Sequence, residues 1–326
     1  MSAALLDIEQ LEVSFATRGG QRTVVADLSF QLAPGETLGI VGESGSGKSL
    51  SMLSLLRLLP DGASARAVHA RFDGRDLLSL TAAQLNSVRG REIAIVFQDP
   101  QTALNPVLTI GRQIMEVIRR HFPLSKAQAR QRAAQLLACV GIADPNLRLN
   151  QYPHEFSGGM RQRVTIAMAL AGEPRVLIAD EPTTALDVTV QAEIVSLIQS
   201  VQRQTELSVI WVTHDMALLA RIADRVLVMY GGRIVEDAPT DRVFASPLHP
   251  YTRALLANLR PQPTSATRSA ALSQPDAAAV GCPFAPRCEQ ATAQCRAVAP
   301  VLGQTEERVR VACWAVPAAS ESMAKP

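Results

Sequence analysis

Hydrophobic and polar positions change period several times along this chain, and each change marks an element. Ile8, Leu11, Val13 and Phe15 alternate loosely, which predicts a strand over residues 8–15. The turn Thr17-Arg-Gly-Gly20 leads to a second strand pattern over 24–32, and Pro34-Gly35-Glu36 makes the next turn. Residues 37–41 form a short, continuously apolar run ending in a glycine-rich loop, as a buried parallel strand does. Leu50, Met52, Leu53, Leu55, Leu56, Leu58 and Leu59 predict a buried helix over 50–59, and a third buried run covers 93–97.

From about residue 110 to 140 the pattern turns helical, with Ile114, Val117 and Ile118 followed by Ala133, Leu136, Leu137 and Val140. Two more buried strand patterns, 175–179 and 207–213, flank a helical stretch at 188–204. Strands alternating with helices predict an α/β fold with a mostly parallel core sheet and helices on both faces, with residues 102–170 as an inserted helical lobe. Residues 261–280, rich in Pro, Ser, Thr and Ala, read as a linker or long loop. No internal repeat is present.

Composition narrows the function classes. The 326 residues carry 32 basic and 30 acidic side chains, and this near-neutral balance gives no electrostatic case for nucleic acid. No run reaches the roughly 18 apolar residues of a membrane helix, and the start of the chain lacks a basic secretory n-region, so a cytosolic location is expected. The basic residues divide into 29 Arg and 3 Lys (Lys48, Lys126 and Lys325), which makes each lysine conspicuous. Four of the five cysteines, Cys282, Cys288, Cys295 and Cys313, fall within 32 residues near the C-terminus; in a reducing compartment such a cluster points to metal before disulfide. Cys139, on the Leu136-Leu-Ala-Cys-Val140 pattern, is expected to be a small buried hydrophobe.

Gly42-Glu43-Ser44-Gly45-Ser46-Gly47-Lys48-Ser49 fits G-x-x-x-x-G-K-[ST] between a buried strand and a helix. Glycines there let successive N–H groups curl around phosphate oxygens, and the following helix adds its positive end. Lys48 can reach the β- and γ-phosphates of a nucleotide, and the Ser49 hydroxyl can ligate Mg²⁺. A second apolar run, Val176-Leu-Ile-Ala, delivers Asp180 and Glu181 at its C-terminal end, where ligands bind in such sheets. Adjacent strand residues face opposite ways, so Asp180 can hold Mg²⁺ through water while Glu181 polarises an attacking water as general base. Kinases, helicases and GTPases share the loop, so these residues alone leave the class open.

Phe156-Ser157-Gly158-Gly159-Met160-Arg161-Gln162-Arg163 separates them. With the loop and the carboxylates in this order, the chain resembles the nucleotide-binding subunit of ABC transporters over about residues 5–260. The resemblance implies an ABC-type P-loop fold with antiparallel N-terminal strands in a domain spanning 1–245. It also implies roles for single residues. Phe15 would stack on adenine, Gln98 would contact Mg²⁺ and signal to the membrane subunit, and His214 would sense the γ-phosphate. Ser157, Gly158 and Gly159 would grip the ATP bound by a second subunit, and Thr184-Ala-Leu-Asp187 would cross the dimer interface. Ser-Gly-Gly opening a helical pattern suits this, because a helix N-terminus presents bare N–H donors to phosphate. Met160 departs from the family's usual glutamine and matches the peptide-importing subfamily. His154, beside this motif, is left without a role.

His249-Pro250-Tyr251-Thr252 and the cysteine-bearing tail resemble the C-terminal extension of oligopeptide, dipeptide and nickel importer ATPases, giving a second region at 246–326. The spacing C-x5-C-x6-C-x17-C suffices for a zinc ion or a 4Fe–4S cluster, and the resemblance implies the cluster. It further implies an ATPase on the cytoplasmic face of a bacterial inner membrane. The expected partners are a second ATPase subunit, a copy or a paralogue, two permeases and an extracytoplasmic substrate-binding protein. Peptides are the expected cargo; nickel, glutathione or opines are alternatives, as is a soluble ABC ATPase outside transport.

Overall fold

The computed structural model describes residues 4–183, 187–257, 259, 280–306 and 308–317. The chain divides into two compact units: Met1–Ala33, Thr37–Ser79 and Trp211–Pro326 form one, and Pro34–Glu36 with Leu80–Ile210 form the other.

The first unit opens with β1 (Leu6–Thr17) and β2 (Gly20–Leu32), antiparallel through a hairpin in which Thr17 faces Gly20. The loose alternation of β1 has a structural cause: Gln10 sits at φ 51°, the register slips between Ile8 and Leu11, and both stay in the core. One extra residue is thereby absorbed without turning the apolar set to solvent. Buried β3 (Thr37–Val41) runs into α1 (Lys48–Leu55). β4 (Ala63–Arg66) and β5 (His69–Phe72) pair with β1, and β6 (Arg75–Asp76) pairs with β5.

The second unit carries α2 (Ala82–Val88), β7 (Ile93–Val96), α3 (Pro100–Ala103), α4 (Ile110–His121), α5 (Lys126–Cys139), α6 (Pro145–Arg148) and α7 (Gly158–Leu170). Then come β8 (Val176–Asp180), parallel to β7, and α8 (Val188–Gln204). Strand β9 (Ser208–Thr213) returns the chain to the first unit.

There α9 (Met216–Ile222) precedes β10 (Arg225–Tyr230), which pairs parallel with β3 and antiparallel with β11 (Arg233–Pro239). Short α10 (Thr240–Ala245), α11 (Pro250–Ala257) and α12 (Ala293–Ala297) follow. A ribbon of β12 (Gly303–Glu306) and β13 (Val309–Val311) pairs on to β11 through β13.

Several sequence expectations need correction. The first helix stops at Leu55, since Arg57 turns to φ 50° and Leu58 is 40% exposed, so the leucine run outlasts the helix. The helical stretch at 110–140 is two helices, broken around Pro123 and restarted by Ser125, whose hydroxyl and Gln128 form a capping box. Cys139 is exposed: the buried face of α5 is Ala129, Ala133 and Leu137, and Cys139 falls off that row. The linker expected at 261–280 lies outside the described residues apart from Val280, as do Thr184, Ala185 and Leu186 of the expected interface loop. Among the described residues no helix is long and apolar enough to cross a membrane.

Candidate nucleotide site and cysteine lobe

The phosphate loop lies in the first unit, between β3 and α1. Two glycines make its path possible. A Cβ on Gly42 would stand 2.2 Å from the Met229 carbonyl oxygen, so only hydrogen fits. Gly47, the residue before α1, holds φ 93°, a left-handed value that L side chains rarely adopt. Lys48 is buried, and its Nζ donates to the carbonyls of Gly42 (2.8 Å) and Glu43 (3.0 Å), with the Ser46 Oγ at 3.4 Å. Glu43, Ser44 and Gly45 are exposed, Ser46 and Gly47 buried, and Ser49 half-buried. Phe15 is half-buried on β1. His214 is exposed just after β9, beside Asp215, which caps α9 by accepting from the Leu218 N–H.

In the second unit β8 delivers Asp180, which is 7% exposed, and Glu181. Glu181 takes φ 47°, a strained turn for a non-glycine residue placed where the strand ends. Gln98, just past β7, donates from Nε2 to Glu181 Oε2 at 3.2 Å. The structure thus brings together two predicted residues 83 positions apart. With its amide nitrogen on Glu181, the amide oxygen of Gln98 is the end that can ligate a cation. Ser157 caps α7 by accepting from the Met160 N–H at 3.3 Å, and Ser157 and Gly158 are exposed. A Cβ on Gly158 would meet nothing within 4 Å, whereas one on Gly159 would stand 2.8 Å from Val190 Cγ1. Asp187 caps α8 through the Val190 N–H at 2.9 Å. His154 is exposed and stacks on Tyr152.

Cys282, Cys288, Cys295 and Cys313 line one cavity in the first unit, with His249, Phe284 and Trp314 among its walls. Burial pushes the Cys282 and Cys313 thiols up, while a hydrogen bond with Thr292 Oγ1 at 3.3 Å leads the effects that hold Cys295 below the usual thiol range. Among the described residues no three His, Cys, Asp or Glu side chains converge on a single-ion position.

Sequence reasoning gave no role to the residues that tie this lobe to the phosphate loop. Tyr251, 1% exposed, accepts the Glu43 backbone N–H at 2.9 Å, and burial raises its phenol so that it stays neutral. Arg287 Nη1 donates to both Glu43 carboxylate oxygens at 2.9 Å and to the Tyr230 hydroxyl at 3.3 Å. Tyr230, Tyr251 and Phe284 pack against one another in tilted and edge-to-face pairs, with centroids 4.5–5.4 Å apart. Beneath them Glu236, 1% exposed, accepts the N–H groups of Leu248 (2.8 Å) and His249 (2.9 Å). The signals that could have found them were the His249-Pro-Tyr251 motif and an arginine abutting Cys288.

Residues 25–184 match the ABC transporter family, and residues 235–295 match the oligopeptide/dipeptide transporter C-terminal region. A putative peptide import ATP-binding protein of Brucella abortus is 49% identical over 311 residues, 94% of either chain. The dipeptide transport ATP-binding protein DppD of Bacillus subtilis is 46% identical, covering 95% of this chain and 94% of its own length. A bacterial ABC transporter cassette solved as a dimer superposes with a TM-score of 0.64 at 26% identity, covering 72% of this chain and 98% of that one. At this identity over nearly its whole length, the chain belongs to the ATP-binding proteins of ABC transporters.

Proposed function

We propose that this ABC ATPase is the motor subunit of an importer of di- and oligopeptides, acting at the cytoplasmic face of a bacterial inner membrane. The carrying observation is the phosphate loop with Lys48 drawn on to its carbonyls. The relatives' names and the matched C-terminal region support the peptide cargo. Permeases and an extracytoplasmic binding protein complete the machine, and the dimeric cassette supports a second ATPase subunit, a copy or a paralogue. Residues 1–245, with the helical lobe 102–170, form the nucleotide-binding region, and 246–326 form the extension.

In this reading the loop N–H groups and Lys48 bind the β- and γ-phosphates of ATP, and Phe15 stacks on adenine. Ser49, the Gln98 amide oxygen and Asp180 are hard oxygen donors and fit Mg²⁺, which when bound neutralises charge developing on the phosphates. Glu181 orients the attacking water and accepts its proton, and Gln98 holds that carboxylate in place. His214 contacts the γ-phosphate. Ser157, Gly158 and Gly159 of one subunit close on the ATP of the other, and Asp187 lies on the interface loop. A contact made only with ATP bound turns hydrolysis into opening and closing. The four cysteines hold a structural 4Fe–4S cluster, a use that suits soft thiolates around one cavity.

The test is steady-state ATP hydrolysis with the second subunit present. Lys48→Ala abolishes turnover, and Glu181→Gln binds ATP and keeps the dimer closed on gel filtration. Wild-type turnover in Lys48→Ala refutes the site.

A further inference from the structure

A phosphate loop with an acidic side chain carries an electrostatic problem. Glu43 sits one residue after Gly42, in the segment that must accept a triphosphate, and its uncompensated charge would repel the ligand. The structure solves this from far away in sequence. Arg287, 244 residues on, donates to both carboxylate oxygens, and Tyr251 fixes the same residue by accepting its backbone N–H. Arg287 ends the short turn Ala285–Arg287, its backbone N–H bonded to Phe284, and the next residue is Cys288 on the cavity wall. Its guanidinium lies 5.7 Å from the ring centroids of Tyr230 and Phe284, and Phe284 also lines that cavity. The turn that positions Arg287 therefore borders the four-cysteine pocket directly.

We propose that the cysteine lobe is a clamp on the phosphate loop: Arg287 and Tyr251 are positioning residues that neutralise and hold Glu43, and occupancy of the four-cysteine pocket sets nucleotide affinity through them. This rests on the reading of Gly42–Ser49 as the ATP site and of the cysteines as a cluster site. The charge argument makes a prediction that a packing role does not. Removing Arg287 exposes a repulsive carboxylate, so removing that carboxylate as well restores binding.

The experiment measures the Kd of a fluorescent ATP analogue with Mg²⁺ on the anaerobically purified full chain, with iron counted in every sample. Arg287→Ala weakens binding about fivefold, the upper range for a partly exposed ion pair. Glu43→Gln sets the reference affinity without the carboxylate, and the double variant Glu43→Gln/Arg287→Ala returns to that reference. Removing iron with a chelator weakens wild type about as much as Arg287→Ala does and leaves the double variant unchanged. Additive losses in the double variant overturn the clamp, as does an Arg287→Ala protein that binds normally. Iron loss without a change in wild-type affinity overturns the coupling and leaves the ATP site intact. Iron absent from the anaerobic protein overturns both the cluster and the coupling. Wild type that binds no more tightly than Lys48→Ala overturns the ATP site itself. Arg287→Lys, which keeps charge without the fork, guards against misfolding in Arg287→Ala and binds within about twofold of wild type.

Discussion

Two glycine-to-alanine substitutions have opposite consequences if the signature helix works on a partner subunit. At Gly42 the backbone φ is not left-handed, so the objection to alanine is steric alone: the new Cβ stands 2.2 Å from the Met229 carbonyl, over 1 Å closer than the 3.4 Å at which ordinary contact begins. Either β10 or the loop must move by about that much. Overpacking of this kind costs about 1–3 kcal/mol, and the displaced group is the phosphate cradle. Gly42→Ala therefore lowers stability and weakens ATP binding in the isolated chain. At Gly158 a Cβ meets nothing within 4 Å, and the residue opens α7, where alanine is favoured over glycine by up to about 1 kcal/mol. The isolated Gly158→Ala chain should be as stable as wild type or slightly more so, with unchanged ATP affinity. Its turnover with the second subunit should nevertheless fall at least tenfold, because the methyl group occupies space reserved for another chain's nucleotide. Urea unfolding, analogue binding and coupled ATPase measurements separate the three effects. Full turnover in Gly158→Ala would refute the partner-facing role of the signature, whatever happens at Gly42.

Other substitutions probe single contacts. Glu236→Ala removes the acceptor of the Leu248 and His249 N–H groups, at about 1–3 kcal/mol each, so thermal unfolding should show a loss of about 2–6 kcal/mol. Gln98→Ala removes the hydrogen bond to Glu181 and should lower kcat with little change in ATP affinity, measured by comparing turnover with analogue binding. Cys139→Ser should leave urea unfolding within about 0.5 kcal/mol of wild type, because that thiol is exposed. Cys288→Ser should lose iron in metal analysis and bind ATP about fivefold more weakly than wild type, with the remaining binding still dependent on Lys48.

Much of the site was legible because its chemistry is local in sequence. A strand, a loop and a helix start are contiguous over residues 37–55, and the loop's glycines and lysine are consecutive, so their spacing already states the geometry. Helix α8 was bounded to the residue for the same reason: Asp187 caps one end, and the apolar pattern runs to Gln204. The later strands were harder. β10 and β11 together carry Val226, Val228, Ile234 and Val235 inside, but acidic Glu236 and Asp237 interrupt the second and conceal it. Both acids are buried because each has partners that no local pattern reveals: Glu236 the N–H groups near His249, and Asp237 the guanidinium groups of Arg225 and Arg310.

By itself, then, the sequence determined the nucleotide chemistry, the family and the four-thiol inventory, since each depends on residue types at short, fixed spacings. Only the tertiary structure decided that Gln98 meets Glu181, that four thiols separated by up to 31 positions share one cavity, and that Arg287 answers the charge of Glu43. Those are contacts between segments distant in the chain. Periodicity reports which face of an element is apolar, but the pairing of one surface with another is fixed only when burial and charge are satisfied across the whole fold.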